Sequence, residues 1–239
     1  MKILSKIYIH PLSYLIALLF FIMGYFRKYL IIMLIIFVHE LGHIITSILF
    51  KWKIDKIIIL PFGCITKFNE FINRPIMEEF MISIMGIIFQ LIFVYQINSF
   101  YNNIIILFNL LPIYPLDGYK IFNLILNKIC SFKRSYLISL YVSYIVISLI
   151  ILFFIIKRDI ISLIIFIPLF FQLNKEYQNK NNVIHKFYLE RYLYKFSFRK
   201  RKIIKNISKM KRDYQHLIKS KDKYITEQAF LRIMFDKNR

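Results

Sequence analysis

His39-Glu40-Leu41-Gly42-His43 sits at the centre of Tyr29–Phe50, a block of 22 residues in which Glu40 is the one Asp, Glu, Lys or Arg. As a helix the block reaches about 33 Å, enough to cross the hydrocarbon of a bilayer. On that helix His39 and His43 lie about 40° apart around the axis and one turn apart along it, so both imidazoles can reach one metal ion. Glu40 stands beside them and can take a proton from a water acidified by that metal. Five residues in this pattern are a weak match in a soluble chain. Inside an apolar span they mean more, because a charge at mid-bilayer costs at least about 2.5–3.5 kcal/mol. A divalent cation is the natural partner to offset that cost.

The rest of the chain has the same character. Of its 239 residues 58% are hydrophobic, with a mean hydropathy of +0.56. Soluble domains carry about 45–50% apolar residues, and here the excess falls in long blocks with the charges between them. Ile7–Phe26 holds 20 residues without Lys, Arg, Asp or Glu, and no small-residue cleavage site follows it. It reads as a retained first span rather than a signal peptide. Phe80–Leu116 has no charged residue, and its polar cluster Asn98–Asn103 divides it into a span over Phe80–Ile97 and another beginning near Ile104. Ser135–Ile156 is a fifth span, and Ile160–Leu173, short at 14 residues, a sixth. The ten residues Ile57–Thr66 are too few to cross, and Pro61 and Gly63 break them into a hairpin. The predicted fold is an all-α polytopic membrane protein of six transmembrane helices with a short membrane-associated β-hairpin. Residues 1–173 form the membrane domain and 174–239 a basic cytoplasmic tail.

Net charge is +21, and Asn174–Arg239 alone holds 19 Lys/Arg against 6 Asp/Glu. A tail this basic stays in the cytoplasm beside anionic lipid headgroups. No nucleic-acid recognition motif accompanies the charge, so nucleic acid is not expected as a partner. Six spans with both termini cytoplasmic put Lys51, Lys53, Lys56, Lys67, Arg74, Lys128, Lys133 and Arg134 inside with the tail, and little positive charge outside. Cys64 and Cys130 are far apart and without a CxxC, and they read as two plain thiols rather than a disulfide scaffold or a thiolate zinc site.

A catalytic zinc usually takes three protein ligands and keeps one position open. Asp117, within Asn109-Leu110-Leu111-Pro112-Ile113-Tyr114-Pro115-Leu116-Asp117-Gly118, is the other acid inside an apolar segment of the first 173 residues. The prolines and glycine there should break the helix, and irregular backbone can aim a carboxylate into a cavity. Asp-Gly is equally a common turn, and local chemistry leaves both readings open.

HELGH in one span, with Asn109–Gly118 in a later one, strongly resembles the site-2 protease family of intramembrane zinc metalloproteases. Ile59-Leu60-Pro61-Phe62-Gly63-Cys64 is similar to a segment of the branch associated with processing a membrane-tethered sigma-factor precursor in sporulation. The resemblance covers about residues 30–130. It implies a metalloendopeptidase with one Zn²⁺ per chain, held by His39, His43 and Asp117, with Glu40 as base. It implies substrate-side roles for Asn109 and for Gln90, which replaces the usual Asn; Ile87, Cys64 and Tyr119 also depart from the pattern. The implied partners are a membrane-tethered protein substrate and membrane inhibitor proteins, and the implied location is the cell membrane or a sporulation membrane. Because a transmembrane helix hides its peptide bonds, the substrate must unwind, and the Ile57–Thr66 hairpin is either an edge that holds it or a buried structural hairpin. The end of the tail faintly resembles the close of a CBS domain, in reduced form. A metal transporter or sensor with the same ligands is the competing function, and it has no need of a base beside them.

Overall fold

The structure, a computed structural model, describes residues 7–60, 63–68, 71–94, 99–194, 196–220 and 223–236. The predicted hairpin turn at Pro61 and the first residue of the polar cluster, Asn98, lie outside these residues. The chain divides into two compact units: Met1–Glu70 with Phe80–Asn109, and Phe71–Glu79 with Leu110–Arg239.

In the first unit, β1 (Ile7–Ile9) leads into α1 (Pro11–Ile22), followed by α2 (Phe26–Leu49), β2 (Ile54–Leu60) and β3 (Gly63–Phe68). The predicted first span is therefore not one continuous helix. Pro11 starts α1 late, Gly24 (φ 76°) turns the chain before Phe26, and α1 has only 12 residues, about 18 Å. β2 and β3 pair antiparallel, with Ile57 opposite Thr66 and Leu60 opposite Gly63. β1 adds in parallel on the far side of β2, so β3 is left as an edge of the sheet. In α2 the buried positions Ile35, His39, Gly42, His43 and Thr46 share one face, while Leu30, Leu34, Phe37, Ile45 and Ile48 are exposed. A polar face turned inward and an aliphatic face turned outward is the arrangement lipid requires. α3 (Ile76–Phe93) and α4 (Ser99–Leu110) complete this unit's helices, with α3 beginning in the other unit.

The second unit holds α5 (Asp117–Ile129), α6 (Phe132–Lys157), α7 (Ile160–Gln178) and α8 (Lys180–Tyr194). As predicted, the helix breaks between Leu110 and Asp117. On α6, Ser135, Ser139 and Ser143 form a wholly buried stripe, and Ser143 Oγ donates to the Pro112 carbonyl at 2.8 Å. Small residues let helices approach closely in lipid, and α6 packs on α5 and α7. Among the described residues three helices, α2, α3 and α6, are long and apolar enough to cross a membrane. α7 runs five residues past the predicted end at Leu173.

The tail is more than helix. β4 (Lys200–Ile204), β5 (Tyr214–Ser220) and β6 (Lys223–Thr226) make a second sheet, parallel then antiparallel, closed by α9 (Glu227–Asp236). An all-α reading thus missed a strand before α1 and a sheet in the tail, because short Lys-rich strands lack a clear apolar alternation. Arg191 anchors this region at 2% exposure. Its guanidinium donates to Asn73 Oδ1, Glu227 Oε1 and the carbonyls of Tyr214, Lys211 and Arg212. Burial pushes the Glu227 carboxyl up, but the His216 hydrogen bond and the Arg191 charge outweigh it and hold the group below its usual range. Glu227 therefore contributes stability that is present above its ordinary value of 4.5 and lost as pH falls through its lower folded value. Replacing Arg191 with Met should cost about 3–5 kcal/mol, since it strands Glu227 and several carbonyls. Accelerated limited proteolysis of the tail would register that loss; proteolysis at the wild-type rate would refute it.

Candidate metal centre

Side chains four residues apart on α2 bring His39 and His43 together on its inward face, 3% and 6% exposed. Their outer nitrogens are both held by α3. His43 Nδ1 lies 2.7 Å from the Ile82 carbonyl, and since a carbonyl only accepts, this nitrogen donates. His39 Nδ1 lies 3.0 Å from Gln90 Oε1, while Gln90 Nε2 donates to the Asn102 carbonyl at 3.2 Å. That carbonyl decides which end of the Gln90 amide faces His39, so His39 Nδ1 donates as well. With each Nδ1 protonated in a neutral ring, the two Nε2 atoms face one another as lone-pair acceptors 3.1 Å apart. Facing lone pairs repel unless a cation lies between them. Two nitrogens about 2.0–2.1 Å from one tetrahedral ion stand about 3.3 Å apart, so the donor set fits a divalent metal. One ligand atom from each of His39, Glu40 and His43 lies within 4.8 Å of the others.

α3 makes room for this pair at Gly86, and Gly42 lets α2 approach the α3 backbone. A Cβ added at Gly86 would stand 2.5 Å from His43 Nε2 and 2.9 Å from His39 Cε1. One added at Gly42 would stand 2.4 Å from the Met85 carbonyl oxygen. The volume a methyl would fill is thus the volume the imidazoles occupy.

Glu40, half-buried on the same helix, accepts a hydrogen bond from Thr66 Oγ1 on β3 at 3.0 Å. Asn109 is half-buried in the last turn of α4. Asp117 belongs to the second unit, where it is the first residue of α5, 6% exposed, with Lys120 Nζ 3.0 Å from its carboxylate. It opens a helix rather than closing a turn. Gln90 is fully buried, with both ends of its amide engaged. Thr66 was missed by sequence reasoning, although it closes the hairpin run; Asn102, one of the polar cluster at 98–103, lies within α4.

Residues 28–97 match the profile of peptidase family M50. Over 212 residues the chain is 32% identical to stage IV sporulation protein FB of Bacillus subtilis, covering 80% of this chain and 73% of that one. The chain belongs to peptidase family M50. It is a membrane metalloprotease of the site-2 type. A zinc metalloprotease of Methanocaldococcus jannaschii is 26% identical over 165 residues, 62% of this chain and 48% of that protein. The solved site-2 protease from the same archaeon has the same fold, with a TM-score of 0.55 at 22% identity over 71% of this M50 chain and 89% of that structure.

Proposed function

We propose that this M50 protease hydrolyses a peptide bond in or near a membrane-tethered segment of its substrate, using zinc held by His39, His43 and Asp117. The observation that carries the reading is the facing pair of His Nε2 atoms beside Glu40 on the inward side of an apolar helix. When bound, zinc supplies Lewis acidity toward water and the scissile carbonyl. Glu40 is the general base. Thr66 occupies its Oε2, so Oε1 takes the proton from the attacking water and passes it to the leaving amine. The edge of β3 receives the unwound substrate as an added strand. Thr66 on that same strand links the substrate-holding edge to the base. Asn109 serves the substrate side of the cavity.

In the membrane, the first 173 residues form the protease domain in six spans with both termini cytoplasmic, and the tail from 174 lies against anionic lipid as a reduced CBS-like element. The named role of the Bacillus subtilis relative lies in sporulation. By extension, the substrate is a tethered sigma-factor precursor. Co-expressing the full chain with such a precursor tests this reading. A shortened, membrane-released product should appear with wild type and vanish with His39→Ala. An uncleaved precursor with wild type would remove the sigma-factor assignment. Cleavage that survives His39→Ala would remove the metal site.

A further inference from the structure

We infer that Gln90 is a positioning residue that fixes the tautomer and ring orientation of His39, rather than a contact for the substrate. The inference rests on the reading that the His pair holds metal. Three observations carry it. Gln90 is 0% exposed, so no substrate reaches its amide in this arrangement. Its Oε1 meets His39 Nδ1 at 3.0 Å, and its Nε2 meets the Asn102 main-chain carbonyl at 3.2 Å. The Asn102 carbonyl belongs to the backbone of α4, a rigid acceptor that no side-chain rotation can withdraw.

The result is a relay in one direction. The Asn102 carbonyl accepts from the Gln90 amide, and the Gln90 carbonyl accepts from His39 Nδ1–H. Reversing the Gln90 amide would set its NH₂ against the Nδ1–H and its oxygen against the Asn102 carbonyl, two repulsive pairs at once. The relay therefore holds the His39 proton on Nδ1 and leaves Nε2 as the lone pair aimed at His43. His43 receives the same service from the Ile82 carbonyl. One histidine is thus oriented by main chain and the other by a side chain, and the second is the one that substitution can disturb. Partners of this kind commonly alter metal affinity by about 10–100-fold when removed.

Gln90 differs from a shorter Asn by one methylene, and the two ends of its amide span the gap between α2 and α4. Asn at this position would lose reach toward His39 or Asn102. Glu would keep an oxygen for His39 Nδ1–H, and in its protonated form would also donate to the Asn102 carbonyl.

The test measures zinc affinity of the purified full chain in detergent by competition with a chromophoric chelator, alongside substrate cleavage. Gln90→Met, similar in volume, should bind zinc about 10–100-fold more weakly than wild type. Gln90→Glu should stay within about threefold of wild type because it retains the acceptor. If Gln90→Met does not yield folded protein, Gln90→Asn replaces it, with the same weakening expected. Wild-type zinc affinity in the Met or Asn variant, together with a raised KM, would overturn the inference and return Gln90 to a substrate role. Weakening in Gln90→Glu equal to that in Gln90→Met would also overturn it, since retaining the acceptor oxygen would then make no difference. If wild type binds zinc no better than the His39→Ala/His43→Ala variant, the metal reading itself fails, a separate outcome.

Discussion

Glu40→Gln should lower cleavage by about 10²–10⁴-fold while leaving the bound metal in place. Gln preserves the shape of the side chain and can still pair with Thr66, since a hydroxyl both donates and accepts. It cannot take a proton from water at neutral pH. His39 and His43 keep their partners on α3, because neither Nδ1 contact involves Glu40. The measurement pairs product formation from a co-expressed tethered substrate with zinc content of the purified chain. Full cleavage by the variant would exclude Glu40 as base. A zinc-free, inactive variant would instead make Glu40 part of the metal's hold. Loss of cleavage with zinc retained also separates a protease from a metal carrier, which needs ligands and no base.

Gly86→Ala carries the second large effect. The added methyl would meet His43 Nε2 at 2.5 Å, His43 Cε1 at 2.6 Å and His39 Cε1 at 2.9 Å. Real methyl groups do not approach this closely, so the rings or the helices must move. Across the contact, Gly42 already brings α2 against the Met85 carbonyl, where a Cβ would have only 2.4 Å. A shift of α3 large enough to clear the methyl also displaces Ile82 and Gln90, the two groups that orient the rings. Displacements near 1 Å at a reacting centre cost about 10²-fold in rate, and overpacking costs about 1–3 kcal/mol in stability. Gly86→Ala should therefore lose at least about 10²-fold in cleavage and bind zinc less tightly. Wild-type zinc stoichiometry and rate in this variant would show that the glycine is not required by the site.

Gln90 and Thr66 mark where local reasoning stops. Gln90 stood out only through the family resemblance, which implied a substrate-side role for it. Its real neighbours are His39, 51 positions earlier, and Asn102, 12 later. Thr66 lies 26 positions from Glu40, and only the packing of β3 beside α2 brings them within 3.0 Å. The first apolar block was misjudged in its bounds for a different reason: Ile7–Phe26 holds no Lys, Arg, Asp or Glu, and hydropathy cannot see that Ile7–Ile9 pairs with Ile57–Ile59 as a strand.

The pairing of His39 with His43, the nearness of Glu40 and the break before Asp117 were determined by the sequence alone. Each follows from helix periodicity, chain length or proline and glycine, which act over a few residues. The tertiary structure decided which side of each residue faces which neighbour. It turned the two Nε2 atoms together, set Gly42 and Gly86 at the contact of α2 with α3, and gave Gln90 to His39. Those outcomes depend on helices separated by tens of residues meeting at one place, which no local pattern encodes.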